Sequence, residues 1–441
     1  MTHSTDASPS TNATPSTNAT PSTDAHTATE VPIPRAFAYH RLADSPQGQA
    51  LRWQFEKIAK SRLDLPDDVI RQFGVALNTG DRLGDAYINT AFADRATKVR
   101  ARTDVEQALE AGIRSVTDPL PELVAMFEQL DTDPEWVDWD TVEHGAKVFR
   151  RYGAELYPYF GMITFAGYAT RTINKPLALT GAYTGNSAFH RFLETCRFWT
   201  DTTEPGAMRP GGAGRRSAVL VRVLHSIIRH TLLPHPEWDR AELGVPISQL
   251  GMFQTLMASS HFPGQQLKLL GYRPTDQDIT AMMHHWHYVG YLMGFEPPWY
   301  PETVTDGFRA QLLIFLAEEP DFGPDTESLC QSFMNTYLPP QDAHGLGRAM
   351  GNLRYRAQLG HSRFYLGADL HTASGLPDPG LWRFAPLARV LPNFARETAR
   401  RTIPGAGGWI DQVHRKARRE FLDKNLEGGN AKFQPVDKLA R

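Results

Sequence analysis

Apolar residues along this chain recur with the period of a helix, and the pattern is clearest over 216–233. Val221, Leu224, Ile228 and Leu232 fall there at i, i+3, i+7 and i+11, which predicts a helix that Pro234 ends. His225 lies on that stripe, with Arg222 and Arg229 one turn before and after it. Similar spacing, with polar residues opposite, predicts helices over 104–115, 137–152, 188–199, 278–293 and 305–316. Alternation of strand type is scarce and the joints are rich in Pro and Gly, so the expected fold class is all-α. The plainest joint, 206–216, is expected as a loop that brings the helix of Arg191 close to the helix of His225. Its glycines Gly206, Gly211, Gly212 and Gly214 read as turn chemistry, because no phosphate-binding spacing follows a strand.

The two ends differ from the middle. Residues 1–30 repeat Pro-Ser-Thr-Asn-Ala-Thr from Pro9 and again from Pro15, a tract with almost nothing to bury and expected to be disordered. One helical domain is expected over 31–425, followed by a C-terminal tail over 426–441. The first 30 residues lack the charged and apolar regions of a secretory leader, so the expected location is cytoplasmic and the sequons at Asn12 and Asn18 read as empty. The stretch 409–426 carries Arg415, Lys416, Arg418, Arg419 and Lys424. It reads as the solvated basic face of a last helix, with a membrane or partner surface as the alternative.

Composition narrows the classes. A chain of 441 residues, 41% hydrophobic and 22% charged, can bury a large core. With a net charge of −3 and no basic patch interleaved with aromatics, nucleic acid is not an expected partner. No apolar run reaches the ~18 residues a transmembrane span needs. Two cysteines, Cys196 and Cys330, are too few for a disulfide framework or a cysteine-built zinc site.

Three groups of residues carry candidate chemistry. Arg222 and Arg229 would be costly to bury without anions, and an imidazole between two guanidiniums suits a site for an anionic metal cofactor. A histidine on an apolar face is, however, more often a satisfied core residue than a ligand. Arg191, Glu194, Thr195 and Phe198 fall at i, i+3, i+4 and i+7, placing a guanidinium, a carboxylate and a hydroxyl on one helix face. A plain surface ion pair between Arg191 and Glu194 is the alternative. In His284-His285-Trp286-His287 two histidines stand one turn apart without a third ligand at fixed spacing, so Trp286, Tyr288 and Tyr291 packing on the core is the better reading.

Taken in order, several stretches resemble the MpaB-type oxygenases, which include the latex-clearing rubber oxygenases. They are Asp138-Trp139-Asp140 with Gly145, Arg191-x-x-Glu194-Thr195, the Gly-rich joint, Val221-Arg222-Val223-Leu224-His225 with Arg229, Gly244-Val-Pro-Ile-Ser248 leading to Thr255, and Trp286 through Gly294. The resemblance runs over about 133–294, and at its furthest to Arg356. It implies a helical fold with a globin-like core around one haem b, His225 as the iron ligand, and a small apolar substrate oxidised with dioxygen. It also implies Arg191, Glu194 and Thr195 on the distal side, Arg222 or Arg229 on a propionate, and Thr255 in the pocket wall.

Two departures stand out. Glu194 occupies the place where the rubber enzymes have a lysine, and their upstream glutamate has no counterpart between Glu155 and Glu194, with Lys175 near its place. Both turn the expected substrate away from polyisoprene, towards an unsaturated or phenolic small molecule. The alternatives are a haem-binding sensor or carrier that keeps the fold without the chemistry, and a haem-free helical scaffold.

Overall fold

The computed structural model describes residues 31–181 and 187–426. Contacts divide the chain into Met1–Pro32, of which only Val31 and Pro32, both exposed, are described, and Ile33–Arg441. The expected disordered tract 1–30 with Asn12 and Asn18, and the tail after Leu426, lie outside the described residues. The second unit is one all-α domain. Among the described residues the only strand-like pairings are the isolated bridges Phe37 to Glu318 and Thr170 to Pro320. No described helix is long and apolar enough to cross a membrane.

Capping sets the helix limits where periodicity alone left them loose. Thr275 and Thr303 each close a capping box with the carboxylate three residues on, so their helices run Asp276–Leu292 and Val304–Ala317. Asp94 caps a helix over Arg95–Ala111, well before the expected start at 104, and Gly112 separates it from the short turn Ile113–Ser115. The expected loop 206–216 is shorter than its composition suggests: the His225 helix, Ala213–Leu232, already begins after Gly212. Gly214 is helical because its bare Cα meets the end of the Arg191 helix, Ser187–Thr202. A Cβ there would lie 2.8 Å from the Asp201 carbonyl oxygen and 2.8 Å from the Thr202 Cα.

Helices Trp139–Arg150 and Asp276–Leu292 pack tightly, and Gly145 makes this possible. A Cβ on Gly145 would sit 2.1 Å from the carbonyl oxygen of Ala281, which is backbone and cannot yield. Trp286, 1% exposed, fills the next layer, its ring 5.3 Å from Phe149 and 6.4 Å from Phe198 on the Arg191 helix. The Tyr288 hydroxyl donates to Asp133 at 2.7 Å and accepts from Arg215 at 2.9 Å, tying the start of the His225 helix to the same layer. Gly145→Val should therefore lower stability by about 1–3 kcal/mol, the usual cost of overpacking. An unchanged urea midpoint would contradict this packing.

The last helix, Ala406–Asn425, keeps part of the expected solvated basic face, since Lys416, Arg419 and Lys424 are exposed, and turns the rest inward. Arg418 is 1% exposed, and Arg415, Arg418 and Arg419 converge on Glu204 at 2.6, 3.2 and 3.4 Å. Only Arg418 is buried, and Glu204, which opens the loop between the Arg191 and His225 helices, offers the three arginines one carboxylate. Leu426, the last described residue, is also buried.

Candidate functional site

The face of the His225 helix that packs most deeply is the one bearing arginines. Ala218, Val219, Arg222, Ser226 and Arg229 are buried, whereas Val221, Leu224, His225 and Ile228 keep part of their surface accessible. Arg222 is fully buried. Its Nε and Nη2 donate to the two carboxylate oxygens of Asp81 at 2.7 and 2.8 Å, and its Nη1 donates to Gln129 at 2.7 Å. Arg229 donates to Asp85 at 2.7 Å, to the Ile247 carbonyl at 3.0 Å and to Ser226 at 2.9 Å.

Asp81 does two jobs, because it also caps helix Arg82–Ala93 by accepting the Gly84 N–H at 3.1 Å. The two helices cross closely enough that a Cβ on Gly84 would meet the Ser226 hydroxyl at 2.6 Å. A Cβ on Gly294, whose φ is +78°, would strike the Asp81 carboxylate at 2.3 Å. Arg222 and Arg229, of which the resemblance implies one on a propionate, are thus each held by a protein carboxylate. Both forks are filled by protein acceptors, and a bidentate pair leaves a guanidinium little to offer a further anion. Asp81 and Asp85 lie outside the stretches that carry the resemblance. Their sequence signal was an N-cap acid with a second acid one turn later.

His225 itself is closely surrounded by protein and keeps part of its surface accessible. Its Nδ1 is buried without a hydrogen-bond partner. Burial, then the charge of Arg229, pushes the imidazole down to about 3, so the ring is neutral at physiological pH.

The Arg191 helix brings its three candidate residues together. Arg191 donates to Glu194 Oε2 at 2.7 Å, and the Thr195 hydroxyl donates to the Arg191 carbonyl at 3.1 Å. Glu194 is 5% exposed, so this is no surface pair. Its Oε1 is buried, has no hydrogen bond among the described residues, and lies 3.6 Å from His190 Nε2. Counted from the contact at Gly214, Arg191 and His225 stand about equally far along their two helices, at one level of the hairpin.

Residues 149–401 match the family described as ER-bound oxygenase mpaB/B′/rubber oxygenase, catalytic domain. The chain belongs to this family. The match includes His225 and all three residues of the Arg191 group and runs well beyond Arg356, but starts after Gly145. The rubber oxygenase of Streptomyces sp. (strain K30) is 25% identical over 209 residues, which are 47% of this chain and 49% of that protein. The chain thus spans about half the length of that curated relative. The solved structure of latex clearing protein LCP in the closed state has the same fold, with a TM-score of 0.60 at 19% identity, over 78% of this chain and 91% of that one.

Other residues of this rubber-oxygenase relative are placed less centrally. Thr255 lies on a different helix, Gln249–Ser259, where it is exposed and its hydroxyl donates to the Gly251 carbonyl at 3.0 Å. The structure does not bring it onto the hairpin. Lys175, near the place of the missing upstream acid, pairs with Glu237 at 2.8 Å. His287 is stacked between Trp136 and Tyr300, with ring centroids 3.9 and 3.8 Å away, and His284 accepts the Asp138 N–H at 3.2 Å. The histidine cluster is thus part of the packing.

Proposed function

We propose that this chain is a haem b-dependent oxygenase that oxidises a small apolar molecule, unsaturated or phenolic, with dioxygen, and that His225 is the iron ligand. One observation carries the reading: a neutral imidazole near the centre of a long helix has a buried ring nitrogen without a partner among the described residues. A buried polar atom left unpaired costs free energy unless a ligand or an unseen neighbour satisfies it. Family membership makes a haem the natural ligand, since its iron takes a neutral histidine and its porphyrin fills apolar space. When bound, haem supplies the redox chemistry that activates dioxygen.

The protein's own residues prepare the space. Arg222 and Arg229, anchored on Asp81 and Asp85, are positioning residues that fix the rotation of the helix and so the direction in which His225 points. On the opposing helix, Glu194 is held by Arg191 through Oε2 and keeps Oε1 open to take a proton, and Thr195 presents a hydroxyl oriented by its bond to the Arg191 carbonyl. Apolar Leu224 and Ile228 beside His225 suit an apolar substrate. The two free, buried cysteines, Cys196 and Cys330, fit a reducing, cytoplasmic setting.

The protein as isolated should show a Soret band, and His225→Ala should lose the haem or most of it while the far-ultraviolet helical signal stays. Full haem content with an unchanged spectrum in that variant would overturn the assignment of the ligand.

A further inference from the structure

Residues 380–403 carry large apolar side chains turned outward along one line. Gly380–Arg389 is a ten-residue 3₁₀ helix, in which side chains three apart stand over one another. Leu381, Phe384 and Leu387 have that spacing and are 82%, 52% and 44% exposed. The other side of this helix is the packed one. Pro386 is buried, and the Trp382 carbonyl oxygen lies 2.1 Å from where a Cβ on Gly360 would be, against helix Gly345–Ala373.

Helix Val390–Thr402 follows without a break and continues the line with Leu391, 79% exposed, and Phe394, 48% exposed. Its buried side holds Asn393, which donates to the Leu270 carbonyl at 3.0 Å. Leu269, 63% exposed, stands beside that contact. The outward direction of the ridge is therefore set by what its back packs on. Contiguous exposed apolar surface of this kind marks an interaction site.

Charge says what covers it. Residues 380–403 contain five arginines and one acid, Glu397, in a chain whose net charge is −3. Glu397 is buried and paired with Arg400 at 2.9 Å, and Arg389 is paired with Glu155. Arg383 and Arg401 are exposed at the ridge. Arg383 lies over the Phe384 ring at 5.0 Å, and the exposed Arg273 lies over Phe394 at 5.2 Å. Lys268, also exposed, adjoins Leu269. A second copy of this chain is a poor occupant, because a two-fold contact would set these cations against themselves.

We propose that this ridge docks the protein on the surface of an anionic phospholipid bilayer. The leucines and phenylalanines enter the interface, and Lys268, Arg273, Arg383 and Arg401 meet headgroup phosphates. The inference stands on the ridge alone and does not depend on haem or on the proposed reaction.

The full-length protein is floated with vesicles of phosphatidylcholine, with and without phosphatidylglycerol. It should bind the anionic vesicles, bind neutral ones weakly, and come off as salt is raised. Phe384→Asp with Leu391→Asp should abolish binding, and Arg383→Glu with Arg401→Glu should weaken it about ten-fold or more on anionic vesicles. All four side chains are exposed, so both double variants should unfold at the wild-type midpoint. Three outcomes would overturn the proposal: no binding of the wild type to anionic vesicles, equal binding by the variants, or a wild-type dimer that Phe384→Asp with Leu391→Asp turns into monomers.

Discussion

Replacing Arg222 with methionine should destabilise the fold by about 3–5 kcal/mol, the cost of breaking a buried ion pair from one side. The change keeps the apolar stem of the side chain but leaves Asp81, 3% exposed, as an uncompensated carboxylate among apolar neighbours. It also strips Gln129 of its donor. Adding Asp81→Asn to Arg222→Met should recover part of the loss, because the buried charge is then gone and an amide oxygen can still cap Arg82–Ala93. Urea denaturation followed by circular dichroism measures all three proteins. A loss below about 1 kcal/mol in the single variant would mean that the pair is dispensable and that something else fixes the helix.

Glu194→Gln should leave the Soret band where it is and cut substrate-dependent oxygen uptake by about 10²-fold, the lower end of what a positioned acid or base supplies. The amide preserves the shape and the contact with Arg191 but offers no site that takes up a proton. Glu194 is proposed for this role because Oε2 is held by Arg191 while the buried Oε1 has no hydrogen bond among the described residues. Oxygen uptake unchanged in the variant would reduce Glu194 to an ion-pair partner of Arg191 and send the proton path elsewhere.

Helix type was legible wherever 3.6-residue apolar spacing survives, and Pro234 marked an end that the structure keeps at Leu232, but the longest described helix, Gly345–Ala373, was not among those expected. The burial of the His225 helix was less legible. Apolar periodicity pointed to Val221, Leu224 and Ile228 as the deepest face, but the deepest face holds Arg222, Ser226 and Arg229. Periodicity counts a guanidinium as polar and places it outside, and it cannot know that Asp81 and Asp85 wait some 140 residues upstream. The same blindness hid the ridge at 381–394. Its three-residue period in a 3₁₀ helix looks, to a helical pattern, like ordinary amphipathicity. The Arg191 group fared better, since its three residues share one helix and their bonds to each other are local.

Glu204 has a consequence for how the protein is made. The hairpin that carries Arg191 and His225 lies near the middle of the chain, and the arginines that pair with its loop come much later, Arg415 211 positions after Glu204. During synthesis the hairpin therefore exists for a time without its clasp and with Glu204 unneutralised. Until the last helix is released, Glu204 has none of these three cations to pair with, and the loop between the two helices lacks that tie.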